Sequence, residues 1–548
     1  MSADVATAPA GAPARPRRLA GAPGRRRARQ ARPLVWASGL IALALVLPLV
    51  FLVIEAATFG WSSIAHLVFR GLTASLLWHT VSLTAAVTAC CAVLGTATAW
   101  CVERTDLPGR RLWAALVVVP VGIPDFAVAF GWRSLFDGIG GFGGALLVMT
   151  LAVYPLVFLP VAASLRDADP AHEEVARSLG VGGWGTYWRV TVGQARTAVL
   201  GGSLLVALVV LAEYGAFEIL GYQTFTTEIF TESQVGFNAP AACGLSLVLV
   251  LVGLVLVVGE RALQGRRRGG GDGTGAGPAG GTVDVGPRPG RQRRLGRSAA
   301  PVVGGFVTLT TFALGVPLAA IAYWLVRGGR STIPAASISS AIGHTAIYGC
   351  GAGLLATALA VPVALLSIRH PARIPMVIER STYLVLAIPG LIIALALTYV
   401  SQRYAAGFLY QSSYLLIVAY AIMFFPLALV AVRASVVRAP RELEELGRSL
   451  GASRAEVLWR VTLPLVAPGL AAAFCLVFLE AVTELTATLV LIPTNAQTLA
   501  TQFWAYQSNT SYGQAAPYAA LMVIVAAVPS YVLGRWFDRM PARRAVTT

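Results

Sequence analysis

Long runs of apolar residues recur along the whole 548-residue chain, and they restrict its fold more than any other feature. A helix that crosses the hydrocarbon core of a bilayer needs about 20 mostly apolar residues, because its backbone polar groups must be satisfied within the segment. Twelve runs are long enough. They are Leu34–Ala56, Leu72–Cys101, Leu112–Trp132, Phe142–Leu165, Ala195–Tyr214, Ala241–Gly259, Pro301–Val326, Ala341–Ile368, Ser381–Tyr404, Ser413–Val436, Val466–Ala487 and Gln514–Phe537.

The low charge content supports a membrane location. Only 12% of the residues are charged and 56% are hydrophobic, with a mean hydropathy of +0.71. A soluble domain carries roughly 25% charged residues. The composition therefore excludes an ordinary soluble enzyme and a disordered protein, and the sequence predicts an all-α integral membrane protein with about twelve transmembrane helices.

The basic residues divide the chain into segments. All 42 are arginine, giving a net charge of +17. They concentrate in an N-terminal tail (1–33), a Gly-rich linker (261–300) and a C-terminal tail (539–548), which flank two halves, 34–260 and 301–538. Arginine beside apolar segments marks loops that stay in the cytoplasm. We therefore expect both termini to be cytoplasmic, and we attribute the charge to membrane topology and lipid contact, with no nucleic-acid partner.

Residues that are missing exclude two kinds of chemistry in this chain. The sequence has no lysine, whereas a P-loop ATPase needs one to reach the terminal phosphates of ATP. Any ATP hydrolysis must then take place on another polypeptide. The six cysteines form no Cys-x-x-Cys pair, so neither a zinc site nor a disulfide framework is predicted. No cofactor is expected, and no nucleophile or metal cluster indicates a membrane enzyme.

The two halves repeat each other in parallel orientation. A spacing of 271 residues relates Ser178–Gly180 to Ser449–Gly451 and Glu213 to Glu484. Trp188–Thr191 and Trp459–Thr462 match at the same spacing. Such a repeat typically builds a pathway between two pseudo-symmetric halves.

The loop between the fourth and fifth segments of each half carries the strongest signal. A proline, Pro170 or Pro440, precedes a short polar segment with acidic residues at its start. Acids favour the N-terminus of a helix because of its dipole. A glycine, Gly180 or Gly451, follows where a helix C-cap is expected. Each loop is therefore predicted to hold a short amphipathic helix.

These loops resemble the cytoplasmic loop of ABC-importer permeases, which docks into a groove on the ATPase. The family pattern is Glu-Ala-Ala-x-x-x-Gly, nine residues, then Ile-x-Leu-Pro. In the second half the matching residues are Glu445, Gly451, Val461, Leu463 and Pro464, with Gly447 where the last alanine is usual. In the first half they are Glu174, Ala176, Gly180 and Val190, whereas Gly193 replaces the proline.

The resemblance implies a type I importer permease with two homologous six-helix halves, in a bacterial inner membrane. It further implies two copies of an ABC ATPase at the loops, an extracytoplasmic substrate-binding protein, and transport by alternating access. The fused halves and the segments Glu484–Leu491, Thr498–Thr501 and Tyr512–Pro517 resemble ferric-iron permeases most. Fused thiamine permeases share the architecture, and polyamine, sulfate and phosphonate permeases share the loops.

Two matched glutamates are candidates for the transport pathway. Glu213 and Glu484 lie near the ends of the fifth segments, and a carboxylate at membrane depth is costly unless it faces a cavity or a partner. Because oxygen ligands suit a hard cation such as Fe(III), the pair could form a transient metal site. The alternatives are that they cap helix ends or meet the binding protein. Glu480, one turn earlier, has Val209 as its counterpart.

A second matched pair, His79 and His344, also invites a metal interpretation. Each is followed by a threonine, Thr80 or Thr345, and threonine readily caps a helix N-terminus. We therefore predict helix-start chemistry at these positions in preference to metal binding.

An ion-coupled secondary transporter is the alternative class. It can also have six plus six helices, but it would need ionisable pairs buried in mid-membrane. The predicted segments are nearly free of such pairs, and this class gives no reason for the matched loops.

Overall fold

The computed structural model describes residues 23–58, 60, 62, 65–66, 69–167, 175–176, 178–186, 189–190, 192–265, 294–328, 335–370 and 372–539. Their regular elements are helices. Most of the predicted linker and the end of the C-terminal tail lie outside these ranges, whereas the first helix begins inside the predicted N-terminal tail.

The first half contains eleven helices within the described ranges. They are α1 (Pro23–Thr58), α2 (Gly71–Arg104), α3 (Arg110–Val118), α4 (Asp125–Leu135), α5 (Gly141–Val153), α6 (Pro155–Asp167), α7 (Gly183–Thr186), α8 (Val192–Ala212), α9 (Gly215–Ile219), α10 (Phe225–Gln234) and α11 (Ala239–Gly265). A 3-10 turn, Val119–Gly122, continues α3.

The described residues of the second half form twelve helices. They are α12 (Ala299–Thr310), α13 (Val316–Gly328), α14 (Ala335–Arg369), α15 (Arg373–Thr382), α16 (Gly390–Tyr404), α17 (Ser413–Arg438), α18 (Arg441–Ser449), α19 (Arg454–Val457), α20 (Leu463–Thr483), α21 (Thr486–Leu491), α22 (Leu499–Ser508) and α23 (Tyr512–Arg539). A 3-10 turn, Tyr383–Ala387, continues α15.

The described residues contain nine helical segments long and apolar enough to span a membrane, and up to eleven if two bent pairs each count as one span. The nine coincide with nine of the twelve predicted segments, which confirms the all-α membrane fold. The twelfth predicted segment, Gln514–Phe537, lies within α23, in which the described apolar stretch Tyr512–Ala527 is shorter than a membrane span.

The third segment of each half is sharply bent. The two parts of the first-half segment meet at 93°, and those of the second-half segment at 103°. The residue before each proline, Ile123 or Ile388, is extended, with φ/ψ of −102°/124° and −104°/112°. The rings of Pro124 and Pro389 disfavour the helical conformation at the preceding residue. The chain is extended there, and α4 and α16 begin in a new direction.

The two halves interlock by exchanging their first helices. α1 packs against α14, α15 and α16 of the second half, and α13 packs against α4 of the first. A Cβ placed on Gly131 of α4 would lie 2.6 Å from Cα of Pro317 in α13, so only glycine allows this close approach. The buried core therefore runs continuously from one half into the other.

The prediction that His79-Thr80 and His344-Thr345 start helices is wrong. Both pairs lie well inside helices, α2 and α14. Their threonines instead satisfy the first turns of other helices: Thr80 Oγ1 accepts from Phe225 N at 3.1 Å, and Thr345 Oγ1 accepts from Leu499 N at 2.9 Å. A capping role is thus present, but for a segment about 150 residues away along the chain.

Candidate functional site

A cavity of about 350 Å³ opens between the two halves. Matching elements of each half line it: the bend before α4 and the bend before α16, and the ends of α8 and α20. Most of its wall is apolar, including Phe126, Leu208, Leu391 and Phe424. The bends therefore bring the starts of two helices to the same space between the halves.

Four carboxylates line this cavity: Asp125, Glu213, Glu480 and Glu484. The structure brings together both sequence-predicted glutamates and adds two further acids. Within the described lining there is no arginine or histidine. The charge on the wall is therefore entirely acidic.

Glu213 and Glu484 each follow directly the last residue of a long helix and precede a short one. Oε1 of Glu213 accepts from Ala216 N at 2.7 Å, and Oε1 of Glu484 accepts from Ala487 N at 2.9 Å. The helix-capping and the cavity-lining interpretations are thus compatible, because each carboxylate has a second oxygen. The capping bonds fix both side chains at the cavity wall.

The other two acids break the symmetry of the repeat. Asp125 has Gly390 as its counterpart 265 residues later, and Glu480 has Val209 as its counterpart in α8. Sequence reasoning noted Glu480 but missed Asp125. The available signal was an acid inside an apolar segment, directly after a proline, because such an acid is costly unless it faces a cavity.

Hydroxyl groups hold the backbone around the matched glutamates. Thr226 Oγ1 donates to the carbonyl of Glu213 at 2.5 Å, and Thr488 Oγ1 donates to the carbonyl of Glu484 at 2.7 Å. Tyr420 Oη lies 2.5 Å from Thr488 Oγ1. A threonine hydroxyl thus holds the backbone of the acidic turn in each half, from the neighbouring helix α10 in the first half and from one turn further along α21 in the second.

The four acids do not form a ready-made metal centre. Among the described residues, no group of three or more His, Cys, Asp or Glu side chains is close enough to hold a metal ion. A cation in this cavity would therefore keep water in part of its coordination shell. His79 and His344 are not among the described residues that line the cavity. Nδ1 of His344 is 3.2 Å from Gln497 N, whereas at His79 it is the backbone carbonyl that accepts, from Tyr222 at 3.2 Å.

The second-half loop forms the predicted short helix, α18. Glu442 and Glu444 lie in its first turn. Gly451, with φ +90°, ends it, and Ala452 N donates to Gly447 O at 3.1 Å. This is a glycine-dependent helix end. Glu445 is exposed on α18, and Pro464 is exposed near the start of α20, directly after a π-helical turn, Leu458–Thr462.

The first-half loop is described only in part, and Glu174 lies outside the described residues. What is described matches the second half. Gly180 has φ +78°, and Val181 N donates to Ala176 O at 3.0 Å. Both loops therefore end their helix in the same way, although Gly193 has replaced the proline of the first copy.

A family profile described as "Binding-protein-dependent transport system inner membrane component" matches this chain twice, at residues 92–269 and 356–545. The chain belongs to this family. Each match includes one glycine-terminated loop and one of the two matched glutamates, Glu213 or Glu484. The permease works as part of an importer that generally includes an ATPase and a substrate-binding protein, and it is a multi-pass inner-membrane component.

Relatives with transport-system names agree with this assignment. The permease is 35% identical to the Fe(3+)-transport system permease protein FbpB 2 of Haemophilus influenzae, over 91% of this chain and 97% of that protein. It is 28% identical to the sulfate transport system permease protein CysT of Escherichia coli, over 41% of this chain and 89% of that protein. A molybdate/tungstate permease protein, WtpB of Thermococcus kodakarensis, is 26% identical over 34% of this chain and 76% of that protein.

Proposed function

We propose that this chain is the permease subunit of an ATP-driven importer for ferric iron. Fe(III) would arrive on an extracytoplasmic binding protein and pass between the halves through the acidic cavity. The observation that carries the proposal is the set of four carboxylates around one cavity, with no basic residue in its described lining. The 35% identity to an Fe(3+) permease over nearly all of both chains supports it.

The charge of the cavity favours a cation over an oxyanion. Fe(III) is a hard cation that prefers oxygen ligands, and carboxylates supply both the oxygen and the compensating charge. An oxyanion would be repelled by the same groups, most strongly where the surroundings are apolar and screening is weak. Because the acids are too dispersed to hold a metal tightly, the cation would bind briefly and leave.

We further propose that one ATPase subunit docks at each glycine-terminated loop. The described part of each loop exposes apolar side chains: Leu450 is 79% exposed and Leu179 is 77% exposed. Trp459, next to the second loop, is 70% exposed. Solvent exposure of large apolar groups beside charged Glu445 is typical of a protein-binding surface. Glu174 and Glu445 would then face the ATPase, with Gly180 and Gly451 shaping the turn.

In this arrangement transport follows from movement of the loops. ATP binding would draw the two ATPase subunits, and with them the loops, together, and switch the cavity between its two openings. The arginine distribution supports cytoplasmic loops, linker and termini. The segments 34–260 and 301–538 would be the two permease halves, surrounded by lipid.

An oxyanion remains a second candidate substrate because of one observation. The N-termini of α4 and α16 both reach the cavity, and helix N-termini bind anions. The sulfate and molybdate/tungstate relatives would agree with this alternative. Asp125, however, places a negative charge in the first turn of α4.

The proposal is tested by reconstituting the permease in liposomes with its ATPase and binding protein. ATPase turnover and uptake of radiolabelled iron are measured while the binding protein is loaded with Fe(III), sulfate, thiamine or a polyamine. Stimulation by the Fe(III)-loaded protein alone is expected. The matched variant is Asp125→Asn/Glu480→Gln, which keeps the size of both side chains and removes two cavity charges.

The outcomes separate the candidates. Stimulation by another loaded binding protein, with none by Fe(III), would retain the importer and overturn the iron assignment. Failure of any ATPase to associate with the chain would overturn the importer itself. Iron uptake that is unaffected by Asp125→Asn/Glu480→Gln would mean that the acidic wall does not select the cation.

A further inference from the structure

A partly buried ion pair joins the loop helix α18 to the end of the long helix α14. Arg369 Nη2 lies 2.7 Å from Oε1 of Glu444, and their side chains are only 12% and 17% exposed. The same nitrogen donates to the carbonyl of Ala439 at 3.0 Å. Removing one partner of such a pair is strongly destabilising to the contact, because a charge is left shielded from water.

The position of the pair at two helix ends strengthens it. Arg369 is the last residue of α14, where the helix dipole favours a cation, and Glu444 lies in the first turn of α18, where it favours an anion. In a second contact the arginine belongs to α18 and the acceptor to α14: Arg441 donates to the carbonyl of Ile368. The end of α14 and the start of α18 therefore hold each other through reciprocal contacts.

The opposite part of α14 is tied to the segment that leads to the cavity. Thr345 accepts from the backbone of Leu499, the first residue of α22. Arg369 follows Thr345 by 24 positions, which corresponds to roughly 36 Å of helix. The chain before α22 runs back to α21, whose first turn is capped by Glu484 at the cavity wall.

We propose that Arg369 is a positioning residue that transmits movement of the ATPase-docking helix α18 through α14 to the cavity. The inference rests on the proposed docking of the ATPase at α18. A displacement of α18 cannot leave α14 behind without breaking the Glu444 and Ala439 contacts. The far part of α14 then moves the start of α22, and with it the turn that holds Glu484.

The repeat places the same residue types in the first half. Arg104 ends α2 as Arg369 ends α14, at the spacing of 265 residues that also relates Thr80 to Thr345. Thr80 likewise caps the first turn of α10. The counterpart of Glu444 is Glu173, which lies outside the described residues. A transmission helix of this design is therefore encoded twice.

The test uses the full complex of permease, ATPase and binding protein in liposomes. Arg369→Met keeps the length of the side chain and removes its charge and donors, Glu444→Gln removes the partner charge, and Arg369→Lys keeps the cation. Arg373→Met, on an exposed arginine at the start of α15, is the matched control. Three quantities are measured: ATPase co-purification, basal ATPase turnover, and the ratio of turnover with and without loaded binding protein.

Arg369→Met is expected to retain the ATPase and its basal turnover while the stimulation ratio falls by about fivefold or more, the lower end of typical coupling between sites. Arg369→Lys should restore most of the ratio, and Arg373→Met should not change it. A purely structural role would lower all three quantities together and would overturn the inference. A stimulation ratio in Glu444→Gln equal to that of the wild type would also overturn the inference. This second variant provides the test if Arg369→Met does not fold. Absence of ATPase from the wild-type complex would overturn the proposed function as well.

Discussion

Glu213 and Glu484 occupy equivalent positions in the two halves, each capping the short helix that follows it while lining the same cavity. The two capping distances, 2.7 Å to Ala216 N and 2.9 Å to Ala487 N, are nearly equal. A glutamine in either place could accept the same hydrogen bond through its amide oxygen. The structural and the electrostatic roles of these side chains can therefore be separated by one substitution.

Glu213→Gln and Glu484→Gln are each expected to lower the initial rate of iron uptake by about tenfold, equivalent to about 1.4 kcal/mol. The cap would be kept and one cavity charge lost, so the thermal stability of the purified protein should not change. Glu218→Gln is the control, because Glu218 lies in α9, the short helix that Glu213 caps, but is exposed. Normal uptake by the double variant Glu213→Gln/Glu484→Gln would leave these glutamates with the capping role alone.

The sequence predicted where the apolar segments lie better than how they run. Apolar content and length identify a segment, but they do not report a change of direction inside it. Pro124 and Pro389 lie at breaks of 93° and 103°, whereas Pro362 lies inside the uninterrupted helix α14. The presence of a proline in an apolar segment therefore does not by itself predict a bend. Proline in a membrane helix is tolerated when neighbouring groups compensate for the missing hydrogen bond.

Contacts between distant parts of the chain account for what the sequence did not reveal about the site. The motif spacing predicted the glycine-terminated helix α18, because its start and end signals are local. Asp125 was not predicted as a site residue because its position on the cavity wall depends on the bend before α4. The role of Thr345 depends on Leu499, 154 residues away, and no local pattern specifies that partner.

Substitution at Gly451 tests the loop as an ATPase-binding element. Its φ of +90° is unfavourable for any residue with a Cβ, although no atom lies within 4 Å of the position that a Cβ would take. Gly451→Val should therefore reshape the turn, at a cost of about 1–3 kcal/mol, and reduce ATPase co-purification and uptake. Gly447→Ala is the control, since Gly447 lies inside α18 and its Cβ would lie 3.3 Å from Val457 Cγ2, a side-chain atom that need shift by only a few tenths of an ångström. Undiminished uptake in Gly180→Val/Gly451→Val would contradict docking at these loops.

A close helix approach at Gly253 should be essential for joining the halves. A Cβ there would lie 2.5 Å from the carbonyl oxygen of Ala387, in the turn just before the second-half bend. Gly253→Val should destabilise the protein by about 1–3 kcal/mol, because backbone cannot move aside as a side chain can. Thermal unfolding in detergent measures the effect. Gly259→Val, on the same helix α11 with no atom within 4 Å of its Cβ position, should unfold at nearly the wild-type temperature.

The hydroxyl of Thr345 should be needed to hold the first turn of α22 and to support iron uptake. Thr345→Val keeps the shape of the side chain but leaves Leu499 N without its acceptor, and a buried unsatisfied donor costs about 1–3 kcal/mol. The first turn of α22 should then exchange its amide hydrogens faster, and iron uptake should fall because α14 no longer holds that turn. Thr357→Val is the matched control on the same helix, since Thr357 Oγ1 is buried with no hydrogen-bond partner among the described residues. Removing that hydroxyl should leave both measurements unchanged or raise stability slightly, because the substitution removes an unpaired polar atom. Equal effects of the two substitutions would mean that the Thr345–Leu499 bond has no special part in holding α22.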